Sequence, residues 1–214
     1  NGPLGADISA VFKEKIKGTG IEVIETQVYA PTDPDVTAQV TRIRAAKPDA
    51  VTNVAVTPPA GAMIAKTMRQ LGMSMPVIVG QNLQSVSFAK LAGEAVDDIV
   101  FPASKVVVKE LPAGDPLAAN IKAFSDRFKA RNAGEEPSSL SPWLVDAMLL
   151  AQTAAKPLGK KALEPAALRD AVEALKGVHG VQGTWTFSPQ DHGSDLSSGI
   201  VLVRYANQQW VAIN

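Results

Sequence analysis

The sequence predicts an α/β fold: a doubly wound parallel sheet layer, followed by a region of largely helical character. Two observations carry this expectation. Up to about residue 104, short runs of branched residues alternate with amphipathic segments of about 8 to 15 residues joined by brief connections, as in a parallel sheet with right-handed crossovers. After the Pro- and Gly-bearing stretch "KELPAGDP" the alternation gives way to long helices, and strands return only near the end of the chain.

Taken in order, Leu4, Ile8, Val11, Phe12 and Ile16 recur at helical spacing, and Gly18 and Gly20 close that helix. "IEVIETQVYA" reads as a strand, "DPDVTAQVTRIRAAKP" as a helix with Val36, Val40 and Ile43 on one face, and "DAVTNVAV" as a strand. The helix "PAGAMIAKTMRQLG", the strand "PVIVG", the short helix "SFAKLAG" and the strand "DIVFPA" repeat the pattern. Helices follow in "PLAANIKAFSDRFKARN", "SSLSPWLVDAMLLAQTAAK" and "EPAALRDAVEALKG". In the second of these, Leu144, Ala147, Met148 and Ala151 form the expected core face. "GTWTFSP" reads as a strand, and "GIVLVRYA" and "QQWVAI" as a hairpin turning at Ala206-Asn207-Gln208. The first helix has no strand before it, so the sheet begins one strand late and the sequence reads as a fragment of a longer protein.

The 214 residues, 46% hydrophobic and 20% charged, suffice for one large domain or two small ones. The 21 basic and 21 acidic side chains cancel, so overall charge gives no argument for nucleic acid or an anionic membrane, and a small neutral or zwitterionic partner fits better. With no cysteine there is no thiol catalysis, thiolate metal site or disulfide framework. No apolar run approaches the roughly 20 residues that span a bilayer, and the first residues lack the features of a signal peptide.

Catalytic and nucleotide-binding motifs are absent: there is no phosphate loop, dinucleotide fingerprint, His-Glu-x-x-His or Gly-x-Ser-x-Gly. The glycines of "GVHGVQG", which holds His179, read as a turn. Asp191 could orient the His192 imidazole for general-base work, but no nucleophile or metal-ligand cluster accompanies them. The acid pairs Glu135-Glu136 and Asp97-Asp98 read as solvated loop positions. Trp143, at the start of a helix, reads as structural or as a wall of a site, and Trp185 and Trp210 as packing residues. No cofactor or metal is expected, and an α/β enzyme using Asp191 and His192 stays open as a lesser reading of the residues alone.

Three further stretches, "QLGMSMPVIVG", "LAGEAVDDIVF" and "GVQGTWTFSPQDHG", follow "PLGADISAVFKEKIKGTGIEVIETQVYAPTDPDVTAQVTRIRAAKPDAV" in an order and spacing that resemble the branched-chain amino acid type of periplasmic substrate-binding protein, the type I fold of ABC transporters. The resemblance covers essentially the whole chain, which matches the latter portion of these two-lobed proteins. It implies that residues 1–104 are most of the C-terminal lobe without its first strand, 105–194 part of the N-terminal lobe, and 195–214 final strands returning to the C-terminal lobe. A lobe lacking most of its sheet leaves the helices at about 115–175 either packed on a sheet or exposing a broad apolar face.

The family grips a ligand between its lobes with strand-end loops and makes or breaks no bond. Carried over by position, Leu4 stands where the family often has Tyr, Thr57 and Pro58 stand at the second strand exit, and Gln81 and Asn82 stand at the third. Leu140 and Trp143 supply an apolar or aromatic wall from the other lobe. Amino-acid binders frequently place a carboxylate at the third exit to meet the ligand ammonium. An amide pair there instead suits a carbonyl, hydroxyl or carboxylate, because an unpartnered buried ammonium costs several kcal/mol. The resemblance thus implies an extracytoplasmic solute-binding protein, periplasmic or lipid-tethered, with a carboxylate, amide or aromatic acid favoured over a free amino acid. Its implied partners are that small molecule and the membrane subunits of an ABC importer, and the complete protein is expected to be a monomer that neither spans the membrane nor binds nucleic acid. The alternative is a ligand-sensing domain of a receptor or regulator on the same fold.

Overall fold

The computed structural model describes residues 3–30, 32–55, 57–97, 99–194 and 196–213, with the side chains of Pro3 and Leu4 outside the description. The chain divides into two compact units, residues 1–102 with 202–214, and residues 103–201. It leaves the first unit within one strand and returns within another.

The first unit opens with α1 (Pro3–Lys15), followed after a linker by α2 (Thr37–Ala45), β1 (Val51–Asn53), α3 (Pro58–Gln70), β2 (Val77–Val79), α4 (Val86–Ala92) and β3 (Ile99–Ser104). The chain comes back through β6 (Ile200–Ala206) and β7 (Gln209–Ala212), and the sheet order is β1-β2-β3-β6-β7. β1, β2 and β3 are parallel, with Val51 opposite Val77 and Val77 opposite Ile99, whereas β6 and β7 pair antiparallel. The crossover helices α3 and α4, which pack against each other, make the parallel arrangement possible. Pro102 lies beyond the Ile99 and Val100 positions that pair with β2, so its missing N–H costs that ladder nothing.

Alternation along the strands sets the core. Val77, Val79, Ile99 and Phe101 are buried on one face while Ile78 is 41% exposed on the other. Phe101 meets Phe88 of α4 edge-on at 5.6 Å and Trp210 of β7 at 5.0 Å. Each such buried side chain contributes about 1.5–3 kcal/mol, and each aromatic pair about 0.5–1.5 kcal/mol more. The expected packing roles of Trp185 and Trp210 hold: Trp210 is half-buried against Phe101 and Tyr205, and Trp185 is buried.

α2 follows its sequence pattern, with Val36 and Val40 buried, and Asp35 starts it by accepting from the Thr37 amide and hydroxyl. Those hydrogen bonds hold the Asp35 carboxyl below its usual range. The strand expected in "IEVIETQVYA" does not form: residues 21–30 join no ladder among the described residues. A strand is defined by its neighbour, and β1 pairs with β2 on one side only. Local side-chain bonds take over part of the work, with Thr26 N donating to Glu25 and Ala30 N to Asp33. Ile21, Ile24 and Val28 remain exposed, as do Ile8, Val11 and Phe12 of α1.

The second unit contains α5 (Ala118–Arg131), α6 (Pro142–Ala155), α7 (Pro165–Glu173) and the short hairpin of β4 (Val178–His179) and β5 (Thr184–Trp185). Its core has two parts: Val106, Leu117, Ile121 and Val181, and Leu150, Trp185 and Phe187 with Val172, Leu175, Val178 and Leu196 packed on them. The core face expected for α6 is corrected here. Leu144 is 79% exposed and Met148 63%, and Ala147 and Ala151 are exposed too. The side that packs is Pro142, Asp146, Leu150 and Ala154, each four residues from the next. The helices of this unit therefore leave a broad apolar face uncovered, with Leu140, Trp143 and Val145 adding to it.

Asp146 explains the choice of face. Its carboxylate is fully buried and accepts from the backbone amides of Val181 and Gln182 at 2.7 and 2.8 Å and from the Trp185 indole at 2.8 Å. Three donors, two in the β4–β5 turn and one in β5, fix the rotation of α6, which hydrophobic spacing alone places differently. Gly180 is required beside it, because a Cβ there would stand 2.2 Å from Asp146 Oδ2.

Candidate ligand-binding site

Because β1 and β2 are adjacent and parallel, their C-terminal ends share one edge of the sheet, the edge where open α/β sheets bind ligands. Four of the seven carried-over residues, Thr57, Pro58, Gln81 and Asn82, come together at this edge. Thr57 is exposed and precedes α3; its carbonyl accepts the Gly61 amide at 3.0 Å. Pro58, at the first position of α3, is half-buried and supplies apolar surface without an N–H to satisfy.

The β2 exit runs Val79-Gly80 into a single 3-10 turn, Gln81–Leu83, closed by Leu83 N to Gly80 O and Gln84 N to Gln81 O, each 3.0 Å. Leu83 is completely buried and anchors the turn, and Ser85 caps α4 by accepting from Phe88 N. The Gln81 Nε2 is buried and has no hydrogen-bond acceptor in the protein. Asn82 behaves differently: its Nδ2 donates to the Ala55 carbonyl at 3.0 Å, so this amide joins the two strand exits.

The bridge continues through Asn53, which hydrophobic patterning did not single out. Ala55 N donates to Asn53 Oδ1 at 3.1 Å, and Asn53 Nδ2 donates to the Gly61 carbonyl at 3.2 Å in the first turn of α3. Asn53 is only 3% exposed. An amide side chain between branched residues at a strand end was the available signal.

The remaining predicted residues stand elsewhere. The Leu4 side chain lies outside the described residues. Leu140 and Trp143 belong to the second unit, at the start of α6, where Ser138 Oγ accepts from Leu140 N at 3.3 Å and Ser141 Oγ from Ser138 N at 3.0 Å. Leu140 is 51% exposed, while Trp143 packs edge-on against Trp185 at 6.1 Å. Trp143 is thus partly structural and partly open.

The suspected Asp191 and His192 pair is not assembled. Asp191 accepts from Gly193 N, and His192 Nε2 lies 3.0 Å from Glu173 instead. This histidine borders a cleft of about 500 Å³ between α7 and residues 187–192, walled by Leu168, Val172 and Phe187. Among the described residues no group of three or more His, Cys, Asp or Glu could hold a metal ion, and no helix is long and apolar enough to cross a membrane.

The first unit is thus an α/β layer whose adjacent β1 and β2 exits carry uncharged, hydrogen-bonding side chains. Residues 1–209 match the family model described as periplasmic binding protein, and the chain belongs to that family, whose members bind solutes rather than catalyse reactions. Its type I fold is shared by an extracellular ligand-binding receptor from Rhodopseudomonas palustris HaA2, with a TM-score of 0.82 at 26% identity, covering 96% of this chain and 58% of that one. A leucine binding protein, LivK, from Thermotoga maritima gives 0.75 at 20% identity, covering 97% and 55%. The Leu/Ile/Val-binding protein BraC3 of Rhizobium johnstonii is 24% identical over 142 residues, which are 66% of this chain and 36% of that protein. The chain therefore spans little more than half the length of these solved relatives, and about a third of the curated one is aligned.

Proposed function

We infer that the full-length protein is an extracytoplasmic solute-binding protein, periplasmic or lipid-tethered, that delivers a small carboxylate, amide or aromatic acid to an ABC importer by closure of two lobes. In this reading the first unit is most of the C-terminal lobe and the second unit part of the N-terminal lobe. Family membership supports the binding role. The absence of a carboxylate among Thr57, Pro58, Gln81 and Asn82 supports the ligand class.

Gln81, Asn82, Thr57 and Pro58 present no carboxylate to a ligand ammonium, which would be desolvated at a cost of several kcal/mol. The relatives named for leucine, isoleucine and valine bind molecules that carry both groups, so charge at the amino end is the discriminating feature. A ligand that binds only the folded state raises the melting temperature by mass action, by the equivalent of about 2.7 kcal/mol at one hundred times Kd. A thermal-shift screen of the full-length protein against isovalerate, isovaleramide, phenylacetate, benzoate, leucine and isoleucine tests the reading. Stabilisation by the acids or amides is expected, and stabilisation by the α-amino acids alone overturns the ligand class.

A further inference from the structure

The cleft between α7 and residues 187–192 of the second unit, at about 500 Å³, has the size of a small-molecule site. Leu168 and Val172 on one side and Phe187 on the other make it apolar. Its walls are held in place by the protein itself. Phe187 is buried and stacks on Trp185 at 5.9 Å, and its carbonyl accepts from Lys176 Nζ. The turn that carries His192 is closed by Ser188 N donating to Asp191 O at 2.9 Å and by Gly193 N donating to Asp191 Oδ1 at 2.8 Å. Its base is closed by Thr186 N donating to Ser194 Oγ at 2.8 Å. Walls ordered before binding spend less of the interaction energy on ordering.

One charge bordering this apolar space is not fully matched. Arg169 also lines the cleft, but Asp170 meets its charge, with Oδ1 accepting from Nε and Nη2 at 2.9 and 2.6 Å. That leaves Glu173, from which Arg169 Nε stands farther off at 3.9 Å. The hydrogen-bond partner of Glu173 is His192 Nε2 at 3.0 Å, and a neutral imidazole that donates there cancels no charge. The Glu173 side chain is only 17% exposed, and a carboxylate shielded from water attracts a cation more strongly than an exposed one.

We propose that this cleft binds a small amine, its ammonium on Glu173 and an aromatic or branched body between Leu168, Val172 and Phe187. Glu173 repels a carboxylate ligand, so the chemistry is the reverse of that inferred for the strand exits. Every residue of the cleft belongs to the second unit, and the inference does not rest on the strand-exit reading.

The test is calorimetric titration of the full-length protein with 2-phenylethylamine, 2-phenylethanol and phenylacetate at neutral pH, alongside melting curves. The amine is expected to bind saturably. The alcohol keeps the ring and loses the charge, and it should bind at least roughly tenfold more weakly, the worth of one charge-assisted hydrogen bond. Glu173→Gln keeps the shape of the side chain and should weaken the amine by a similar factor without lowering the melting temperature. A second variant, Leu168→Trp, narrows the cleft while leaving Glu173 in place and should weaken the amine as well. The proton NMR signals of the His192 ring, identified by their loss in His192→Gln, should shift as the amine is added. Phenylacetate in excess should not displace the amine. Absence of saturable amine binding, equal affinity for amine and alcohol, displacement by phenylacetate, or amine affinity unchanged in both Glu173→Gln and Leu168→Trp overturns the proposal.

Discussion

The Trp185 indole donates to the Asp146 carboxylate at 2.8 Å, joining the β4–β5 hairpin to the middle of α6 with both residues buried. Asp146→Ala would strand this donor together with the Val181 and Gln182 amides. The expected loss is about 3 kcal/mol or more, because each buried donor left without a partner costs about 1–3 kcal/mol. Urea unfolding of the chain measures it, with Asp146→Asn expected to lose less because one carbonyl acceptor remains. A cost below about 1 kcal/mol would show that these donors find other partners.

Gln182 presents the reverse case. Its side chain is fully buried and neither amide atom has a hydrogen-bond partner in the protein. Gln182→Met keeps a similar shape and removes the desolvated polar atoms, so it should raise stability by about 1 kcal/mol. A melting temperature that falls would indicate that ordered water serves the amide.

The Lys105 and Asp115 ion pair gives the second unit a pH dependence. Burial tends to raise the Asp115 pKa, but hydrogen bonds from Lys105 and the Leu117 amide, with the charge of Lys105, overcome it and hold the carboxyl below the usual range. A carboxyl with a lowered folded-state pKa contributes stability that is present in full above its unfolded-state pKa and is lost as pH falls through the folded-state value. Stability should therefore decline below about pH 4, near the ordinary carboxylate range. Lys105→Met should flatten that decline and cost about 1–3 kcal/mol at neutral pH. Unfolding curves from pH 2 to 7 on both proteins decide it.

Asn207 and Gln208 turn the β6–β7 hairpin with φ of 51° and 60°, the conformation of a two-residue turn in which glycine is favoured at the second place. Gln208→Gly should stabilise the chain by about 0.5–1 kcal/mol by removing the left-handed penalty of a side chain. Thermal melting detects this, and a destabilised variant would mean that the Gln208 side chain contributes more than its backbone strain costs.

Much of this architecture was legible in the sequence. The alternation from Val36 to Ser104 fixes helix and strand types because period 3.6 and period 2 bury different sets of residues, and β1, β2, α3 and α4 stand where those patterns put them. The terminal hairpin was legible for the same reason, with turn chemistry between two apolar runs. "IEVIETQVYA" was misread because branched residues make a strand only when another strand accepts its hydrogen bonds. The buried face of α6 was misread because a lone acid in "PWLVDAMLL" counts against burial in any hydrophobic pattern, yet Asp146 is fully buried and accepts from three donors.

By itself the sequence determined the fold class, the order of most elements, the resemblance to a solute-binding family and the absence of charge at the strand exits. Those properties depend on local periodicity, composition and motif order. Only the tertiary structure decided how the uncharged residues divide their work. The Ala55 and Gly61 carbonyls commit Asn82 and Asn53 to the scaffold, whereas the buried Gln81 nitrogen finds no acceptor in the protein. Two neighbouring amides are equivalent as letters, and become different once one of them has found a carbonyl 27 residues away.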